Sequence, residues 1–274
     1  SLLVAERKEG KLLYKHAIFE ALALEMARDR RVHFIGEDIS WYGGAFGASK
    51  GLVEIFGEDR VRNTPISEDA FTGVGLGGAL TGLRPVVEWM YLDFGDIAGD
   101  QVDNQAAKIR YMFGGKAEVP LVIRAAMGGL RGYAGQHSCA KESRYTQIPG
   151  LNVVAVSTPY DAKGLLIQAI RSDNPVLFIE HQGIYSNKKF AEDVPIGIYN
   201  IPFGEAVVRR EGSSISIISY LNTVHQAMDA SVILKSEYGI DAEVMDLRSL
   251  SPYDRDAVND SFRKTGRAVV LAQS

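Results

Sequence analysis

The sequence has few of the features that mark secreted, membrane or nucleic-acid-binding proteins. It contains one cysteine, Cys139, so no disulfide can form within the chain, and a reducing compartment is expected. No apolar run approaches the roughly 20 residues that a membrane-spanning helix requires, so no membrane partner is predicted. The formal net charge of −4 shows no basic excess of the kind that binds phosphate backbones, which argues against a nucleic-acid partner.

What the sequence does contain is an alternation of helices and strands. Its 274 residues are 46% hydrophobic and 23% charged, an ordinary globular composition for one large or two smaller domains. Continuous apolar runs such as residues 119–127 are typical of parallel strands covered on both faces. A long helix is predicted over residues 93–115, closed by a pair of glycines. The pattern as a whole predicts an α/β protein built on a parallel sheet.

The alternation of helices and strands is interrupted between residues 182 and 204, where charged residues, glycines and prolines are mixed as they are in linkers. We expect a first domain over residues 1–190, a linker over 191–204 and a smaller α/β domain over 205–274. Three strands are predicted in the second domain. A parallel sheet of only three strands has poorly covered faces, so we expect more chain to follow in the native protein.

Three glycines in residues 73–78 have the G-x-G-x-x-G spacing of a dinucleotide-binding turn. Such a turn follows a hydrophobic strand directly, whereas the preceding residues are polar and contain a proline. Ser67 is better placed as the N-cap of a helix that begins near Asp69. That helix is expected to contain the glycines at positions 73, 75, 77, 78 and 82. We therefore attribute these glycines to the close approach of a neighbouring helix or a partner subunit.

Longer stretches carry a resemblance that no short pattern provides, namely NTPISEDAFTGVGLGGALTGLRPVVEWMYLDF, DQVDNQAAKIRYMFGG and GQHS. Together they closely resemble the beta subunit of thiamine-diphosphate-dependent 2-oxoacid dehydrogenases. This family includes the decarboxylating components of the pyruvate, branched-chain 2-oxoacid and acetoin dehydrogenase complexes. The resemblance extends from about Tyr14 to the end of the chain. It implies a transketolase-like fold, a pyrimidine-binding α/β domain followed by a smaller C-terminal α/β domain that runs longer in the family.

The resemblance assigns roles to three residues. Glu68 would hydrogen-bond the pyrimidine ring of thiamine diphosphate and favour the tautomer that removes the thiazolium proton, while the cofactor supplies the reactive atom. Phe94 matches the aromatic residue that stacks on the pyrimidine. His137 matches a histidine that faces the reacting centre, where an imidazole suits proton donation. By position alone, a helix-dipole acid, a core aromatic and a hydrogen-bonded loop histidine are the plainer interpretations.

The resemblance also implies bound ions. Ala169 and Asn174, with the carbonyl of Leu121, match a site for a monovalent cation such as K⁺. This chain has RSDNP where the family has RDNNP, so that match is incomplete. The diphosphate and Mg²⁺ require a Gly-Asp-Gly stretch, and none occurs in this sequence. In the family an alpha subunit carries it, within an α₂β₂ heterotetramer that binds the cofactor at each alpha–beta interface.

The implied activity is oxidative decarboxylation of a 2-oxo acid, or cleavage of acetoin, with acyl transfer to a lipoyl-bearing acyltransferase component. Two alternatives stay open. One is a two-subunit thiamine-dependent carboligase of transketolase type, and the other is a non-catalytic scaffold for an alpha subunit. The expected location is the cytoplasm of a bacterium or archaeon, or the mitochondrial matrix of a eukaryote.

One stretch departs from the family pattern. Relatives usually follow the GQHS motif with a Gln and an apolar-aromatic run, whereas this chain has Lys141, Glu142 and Arg144 there. The charged residues either change the preference for substrate or acceptor beside His137, or they lie on a solvated loop.

Overall fold

The computed structural model describes residues 2–129 and 132–273, which form two α/β units. The strands are Val32–Gly36 (β1), Val61–Asn63 (β2), Arg84–Trp89 (β3), Val122–Met127 (β4), Asn152–Ala155 (β5), Val176–His181 (β6), Val207–Arg210 (β7), Ile215–Ser219 (β8), Ala242–Asp246 (β9), Ser249–Ser251 (β10) and Ala268–Leu271 (β11). The α-helices are Tyr14–Arg28 (α1), Leu52–Phe56 (α2), Glu68–Leu80 (α3), Ile109–Met112 (α4), Glu142–Thr146 (α5), Pro159–Arg171 (α6), Asn222–Tyr238 (α7) and Arg255–Thr265 (α8). Within the described ranges, every helix is too short or too polar to cross a membrane.

The larger sheet has seven strands in the order β10-β5-β6-β4-β3-β1-β2. Strands β1 to β6 run parallel, and β10 lies antiparallel to β5 at one edge. The direction of winding reverses at β1, which has β2 on one side and β3 on the other. In an open parallel sheet, the carboxyl ends of the strands at such a reversal form the usual ligand crevice. A site is therefore expected where the chain leaves β1 and β3.

Both faces of the larger sheet are covered, as its apolar strands require. Helices α1 and α6 pack on one face, where Ile18, Leu22 and Leu166 are fully buried. Helix α3 and the segment after β3 pack on the other face, around Trp89 and Leu121. The parallel sheet predicted from the sequence is thus confirmed, and its core is divided into two apolar layers.

A cluster of ionised groups lies inside this sheet. Arg124 on β4 donates to the two carboxylate oxygens of Glu180 on β6 at 2.7 and 2.8 Å, and to Glu88 Oε2 on β3 at 2.5 Å. None of the three residues is more than 8% exposed, and burial raises the pKa of Glu88. Buried charges are tolerated when each is paired and hydrogen-bonded. The cluster therefore ties three adjacent central strands together.

The second unit is smaller, as predicted, but its sheet has four strands, in the order β11-β8-β9-β7, where three were predicted. Strand β7 was not predicted. The single strand predicted over residues 241–250 is divided into β9 and β10, and β10 pairs with β5 of the first sheet. Arg209 on β7 binds Asp161 on α6 and Asp246 on β9, with 2.9 Å between Arg209 Nη2 and Asp246 Oδ2. These buried contacts join the two units. The domain boundaries at residues 190 and 205 stay predictions.

The single helix predicted over residues 93–115 is wrong. The chain forms a 3-10 turn at Leu92–Asp96, a π-helical segment at Asp100–Ala106 and then α4. Gly95 shows why the first turn is tight: a Cβ there would lie 2.5 Å from Trp89 Cζ3, so the backbone runs directly on the core. The pair of glycines at 114 and 115 does end the segment, at φ values of 61° and 80°.

Helix α3 contains the glycine-rich stretch, as predicted, and begins at Glu68. Ser67 is the N-cap residue, but its hydroxyl donates to the carbonyl of Pro65 at 3.1 Å and makes no side-chain cap bond. Gly82 was expected inside the helix and lies beyond its end, at φ +100°. Each interior glycine costs a helix about 0.5–1 kcal/mol relative to alanine. The glycines that do lie inside α3 therefore need an explanation in the packing around them.

The sheet provides that reason at one position. A Cβ on Gly75 would lie 2.6 Å from Val87 Cγ2 on β3, whereas a Cβ on Gly77 would meet nothing within 4 Å. Close approach is therefore required at Gly75, and the neighbour is the sheet of the same chain. Among the residues that the structure describes, Gly77 has no such neighbour.

These two glycines make a matched pair for a stability test. Gly77→Ala should raise the free energy of unfolding by about 0.5–1 kcal/mol, because it adds helix propensity without a clash. Gly75→Ala should lower it by about 1–3 kcal/mol, because the methyl group overpacks the contact with β3. Urea unfolding of the chain followed by circular dichroism measures both. Equal effects of the two substitutions would contradict the packing argument.

Candidate functional site

The sequence-predicted residues Glu68, Phe94 and His137 follow three strands that end at one edge of the larger sheet. Glu68 begins α3 after β2, Phe94 lies in the 3-10 turn after β3, and His137 lies in the loop after β4. Because parallel strands place their carboxyl ends at the same edge, elements far apart in sequence meet there. The winding reversal at β1 lies within this group of strand ends.

A pair of buried carboxyl groups occupies the part of the edge next to β1. Glu68 is 4% exposed, and Glu37, which directly follows β1, is 5% exposed. Burial, and then the neighbouring Glu68 carboxyl, raise the pKa of Glu37 to about 7. Within residues 2–129 and 132–273, Glu37 Oε1 is buried without a hydrogen-bond partner. Because a buried acceptor without a partner costs free energy, the pair has capacity left for a ligand that donates hydrogen bonds.

Glu37 was not predicted as a site residue. In the sequence, Glu37 directly follows the predicted strand VHFIG. An acidic residue at that position is equally typical of a strand end exposed to solvent. The distinction depends on burial beside Glu68, which lies 31 positions further along the chain. A single sequence does not show that contact.

Phe94 and His137 are in direct contact. The ring centroid of His137 lies 5.3 Å from that of Phe94 and 4.8 Å from that of Tyr91, both edge-to-face. Gln182, which follows β6, donates from Nε2 to the carbonyl of His137 at 3.2 Å. Both predicted side chains are half-buried, so a partly open aromatic surface with an imidazole at its rim lies on this edge. Tyr91 completes that surface and was missed, because an aromatic residue near a strand end is usually a core residue.

The three residues predicted for a monovalent cation lie at the opposite edge of the sheet. Leu121 directly precedes β4, Asn174 lies just before β6, and Ala169 is in the last turn of α6. The carbonyls of Leu121 and Ala169 accept backbone N–H groups at 2.9 and 3.1 Å. Asn174 Oδ1 accepts from Arg110 Nη1 at 2.8 Å. Each carbonyl-type oxygen has two lone pairs, so these bonds leave room for a further partner.

A guanidinium already brings positive charge to this edge. Arg84 donates to the carbonyls of Ile170 and Ser172 at 2.8 and 2.7 Å, and to Asp173 Oδ1 at 2.9 Å. Asp173 is one of the positions at which the sequence departs from the family pattern, and Arg84 binds it. No group of three His, Cys, Asp or Glu side chains suited to a metal ion occurs in the part of the chain that the structure describes.

Comparison with known proteins identifies both units. The protein-family model described as transketolase, pyrimidine binding domain, matches residues 10–188. The family model described as transketolase, C-terminal domain, matches residues 204–274. The acetoin:2,6-dichlorophenolindophenol oxidoreductase subunit beta of Cupriavidus necator is 49% identical, over 96% of this chain and 80% of its own length.

Two further relatives have related names. The pyruvate dehydrogenase E1 component subunit beta of Rickettsia felis is 42% identical, over 96% of this chain and 79% of its own. The 2-oxoisovalerate dehydrogenase subunit beta of Bacillus subtilis is 43% identical, over 95% and 79%. A solved structure named split gene transketolase, inactive beta4 tetramer, has a TM-score of 0.75 at 20% identity, covering 96% of this chain and 80% of that one. At that identity the likeness concerns the fold alone.

The Glu37 carboxyl predicts a pH-dependent stability. Its pKa is about 7 in the folded chain against an ordinary 4.5, so the folded state binds more protons between these values. The free energy of unfolding should therefore fall as the pH rises from about 4.5 to about 7. Glu37→Gln cannot ionise, so its stability relative to the wild type should be greater at pH 8 than at pH 5, by about 1–3 kcal/mol.

Urea unfolding at pH 5, 6, 7 and 8 measures this difference. Glu54→Gln is the matched control, because Glu54 is an exposed glutamate in the first turn of α2. Parallel pH profiles for the wild type and Glu37→Gln would contradict the assignment.

Proposed function

Since the chain belongs to the family of beta subunits of thiamine-diphosphate-dependent 2-oxoacid and acetoin dehydrogenases, we propose that Glu68, Glu37, Phe94 and His137 form its part of the active site. The observation that carries the proposal is the buried Glu37–Glu68 pair, with an unpaired acceptor oxygen, at the same sheet edge as Phe94 and His137. Buried carboxyl groups with perturbed pKa values cluster at functional sites.

The residues present fit an aminopyrimidine ring. When bound, thiamine diphosphate supplies an acidic ring carbon that acts as the nucleophile after losing its proton. Glu68 would accept a hydrogen bond from the pyrimidine ring and fix the protonation state of that ring. Glu37, whose pKa is about 7, holds a proton beside Glu68 near neutral pH and limits the repulsion between the two carboxyl groups.

Phe94 and His137 serve the reacting side of the ring system. Phe94 presents a half-buried aromatic face for stacking. His137 exchanges a proton with the substrate through an imidazole nitrogen, and its edge-to-face contacts with Phe94 and Tyr91 fix the plane of the ring.

An alpha subunit is proposed to complete the site. Exposed apolar side chains lie just before α3 and along the helix: Ile66 is 82% exposed, Val74 62% and Leu80 45%. Exposed apolar groups grouped on one surface mark interaction sites. The chain lacks Gly-Asp-Gly, so the diphosphate and Mg²⁺ are assigned to the alpha subunit, in an α₂β₂ heterotetramer.

Acetoin is the first substrate to test, because the C. necator relative named for it is 49% identical, against 42–43% for the pyruvate and 2-oxoisovalerate relatives. A small 2-oxo acid is the second. The acyl product is proposed to pass to a lipoyl-bearing acyltransferase component, and the proposed location is the cytoplasm of a bacterial or archaeal cell.

Glu68→Gln tests the central assignment. In the chain reconstituted with its alpha subunit and thiamine diphosphate, turnover of acetoin, pyruvate and branched 2-oxo acids should fall at least about 100-fold. Gln keeps the shape of the side chain but cannot exchange a proton. Reduction of 2,6-dichlorophenolindophenol, acyl transfer to lipoamide and acyloin formation are measured together, and Glu54→Gln is the exposed control.

Undiminished turnover in Glu68→Gln would reject the catalytic role and favour the scaffold alternative. Acyloin formation without dye reduction or transfer to lipoamide would favour the carboligase alternative. Turnover by this chain alone would contradict the two-subunit proposal.

A monovalent cation is proposed at Leu121, Ala169 and Asn174, on the basis of the family resemblance and of carbonyl-type oxygens that each have a lone pair left. KCl should raise the melting temperature of the chain above its value in choline chloride of equal ionic strength. Asn174→Ala should abolish that difference, because it removes the side-chain ligand. A melting temperature that is the same in both salts for the wild type would reject the cation site.

A further inference from the structure

The loop that carries His137, and helix α5 that follows it, are bound to the turn Leu92–Asp96 through charged side chains. Lys141 Nζ lies 2.8 Å from Asp96 Oδ2, and Arg144 Nη1 binds the other oxygen of the same carboxylate. Asp96 is two residues beyond Phe94, and Lys141 is four residues beyond His137. Asp96, Lys141 and Arg144 are called the Asp96 cluster below.

We propose that the Asp96 cluster positions the imidazole of His137 against Phe94 by fixing its loop to the turn Leu92–Asp96. The roles of His137 and Phe94 are those of the proposed function, on which this inference rests. The cluster residues act through His137 and are positioning residues.

Contacts along the loop show that it follows this turn closely. The backbone N–H of Cys139 donates to Asp93 Oδ1 at 3.2 Å. Further along, Tyr145 is fully buried, and its ring centroid lies 6.3 Å from that of Trp89. The loop is therefore bound to the turn at Cys139, and α5 packs on the strand before that turn at Tyr145. The ion pairs lie between these two contacts.

The start of α5 has a further contact, with the second unit. Glu142 is 6% exposed, and its Oε1 accepts a hydrogen bond from the hydroxyl of Tyr220 at 2.7 Å. Tyr220 lies in the second unit, between β8 and α7. These contacts oppose the interpretation of Lys141, Glu142 and Arg144 as a merely solvated loop.

The single carboxylate of Asp96 holds both cationic side chains of the cluster. Asp96 binds two cations at once, and its hydrogen bond with Lys141 lowers the pKa of Asp96. Arg144 also lies 3.7 Å from Asp103, so its charge has a second partner. The cluster side chains are 31–44% exposed, and salt screens ion pairs of that exposure. The position of the loop should therefore depend on ionic strength.

The single cysteine of the chain provides a probe inside the loop. Cys139 is half-buried, and its interaction with Asp93 raises the pKa of the thiol. Release of the loop from the turn should free the thiol and speed its reaction with the uncharged reagent N-ethylmaleimide. Asp96→Asn and Arg144→Gln should each speed it about threefold to tenfold, and the double variant no further.

The two substitutions change the local charge in opposite directions, which separates loop release from a simple effect on the thiolate. A charge effect alone would speed the reaction in Asp96→Asn and slow it in Arg144→Gln. That result, an unchanged rate, or additive effects in the double variant would overturn the proposal. Asp260→Asn, which breaks the exposed Arg263–Asp260 pair on α8, is the control and should leave the rate unchanged.

The reconstituted complex tests the consequence for turnover. In Asp96→Asn, kcat should fall about tenfold, while KM and the affinity for thiamine diphosphate stay near wild type, and Asp96→Glu should restore most of kcat. A uniform rise in KM with kcat unchanged would overturn the positioning role. Faster thiol reaction with both kcat and KM unchanged would support fixation of the loop and reject the role of His137 in the proposed function.

Discussion

The bonds from Arg124 to Glu88 and Glu180 hold the centre of the molecule in register. Arg124 lies on β4, and its two partners lie on the strands on either side. A slip of one residue would turn each charged side chain to the opposite face of the sheet and leave it buried without a partner. The carboxyl ends of these three strands lead to Phe94, His137 and Gln182, so the site inherits its geometry from this cluster.

Among the buried acidic side chains of the molecule, two clusters have opposite character. Around Arg124, each carboxylate has a cationic partner, and the cluster serves the fold. At the Glu37–Glu68 pair two acids are neighbours, and Glu37 Oε1 has no partner among the described residues. Arrangements that break the usual rules of burial are expected at functional sites, and this contrast separates the candidate site from the scaffold.

Helix α3 links the scaffold to the expected partner surface. Its inner face packs on β3 so closely that Gly75 has no room for a methyl group, while its outer face exposes Val74 and Leu80. Glu68 is the buried first residue of the same helix. Packing on one side thus places the carboxyl group, and the apolar outer side remains available to an alpha subunit under the proposed function.

The residue pattern by itself determined the α/β class, the parallel sheet, the smaller second unit and a helix beginning near Asp69, because apolar periodicity and helix-start signals are local. It also singled out Phe94 and His137 through the family resemblance, and their roles stay predictions. Only the tertiary structure decided that residues 93–115 form separate short helical segments, that Gly82 lies outside α3, and that Glu37, Tyr91 and Asp96 lie beside the predicted residues. These features depend on contacts between segments distant in sequence, and strand order together with side-chain packing, which no local pattern encodes, creates those contacts.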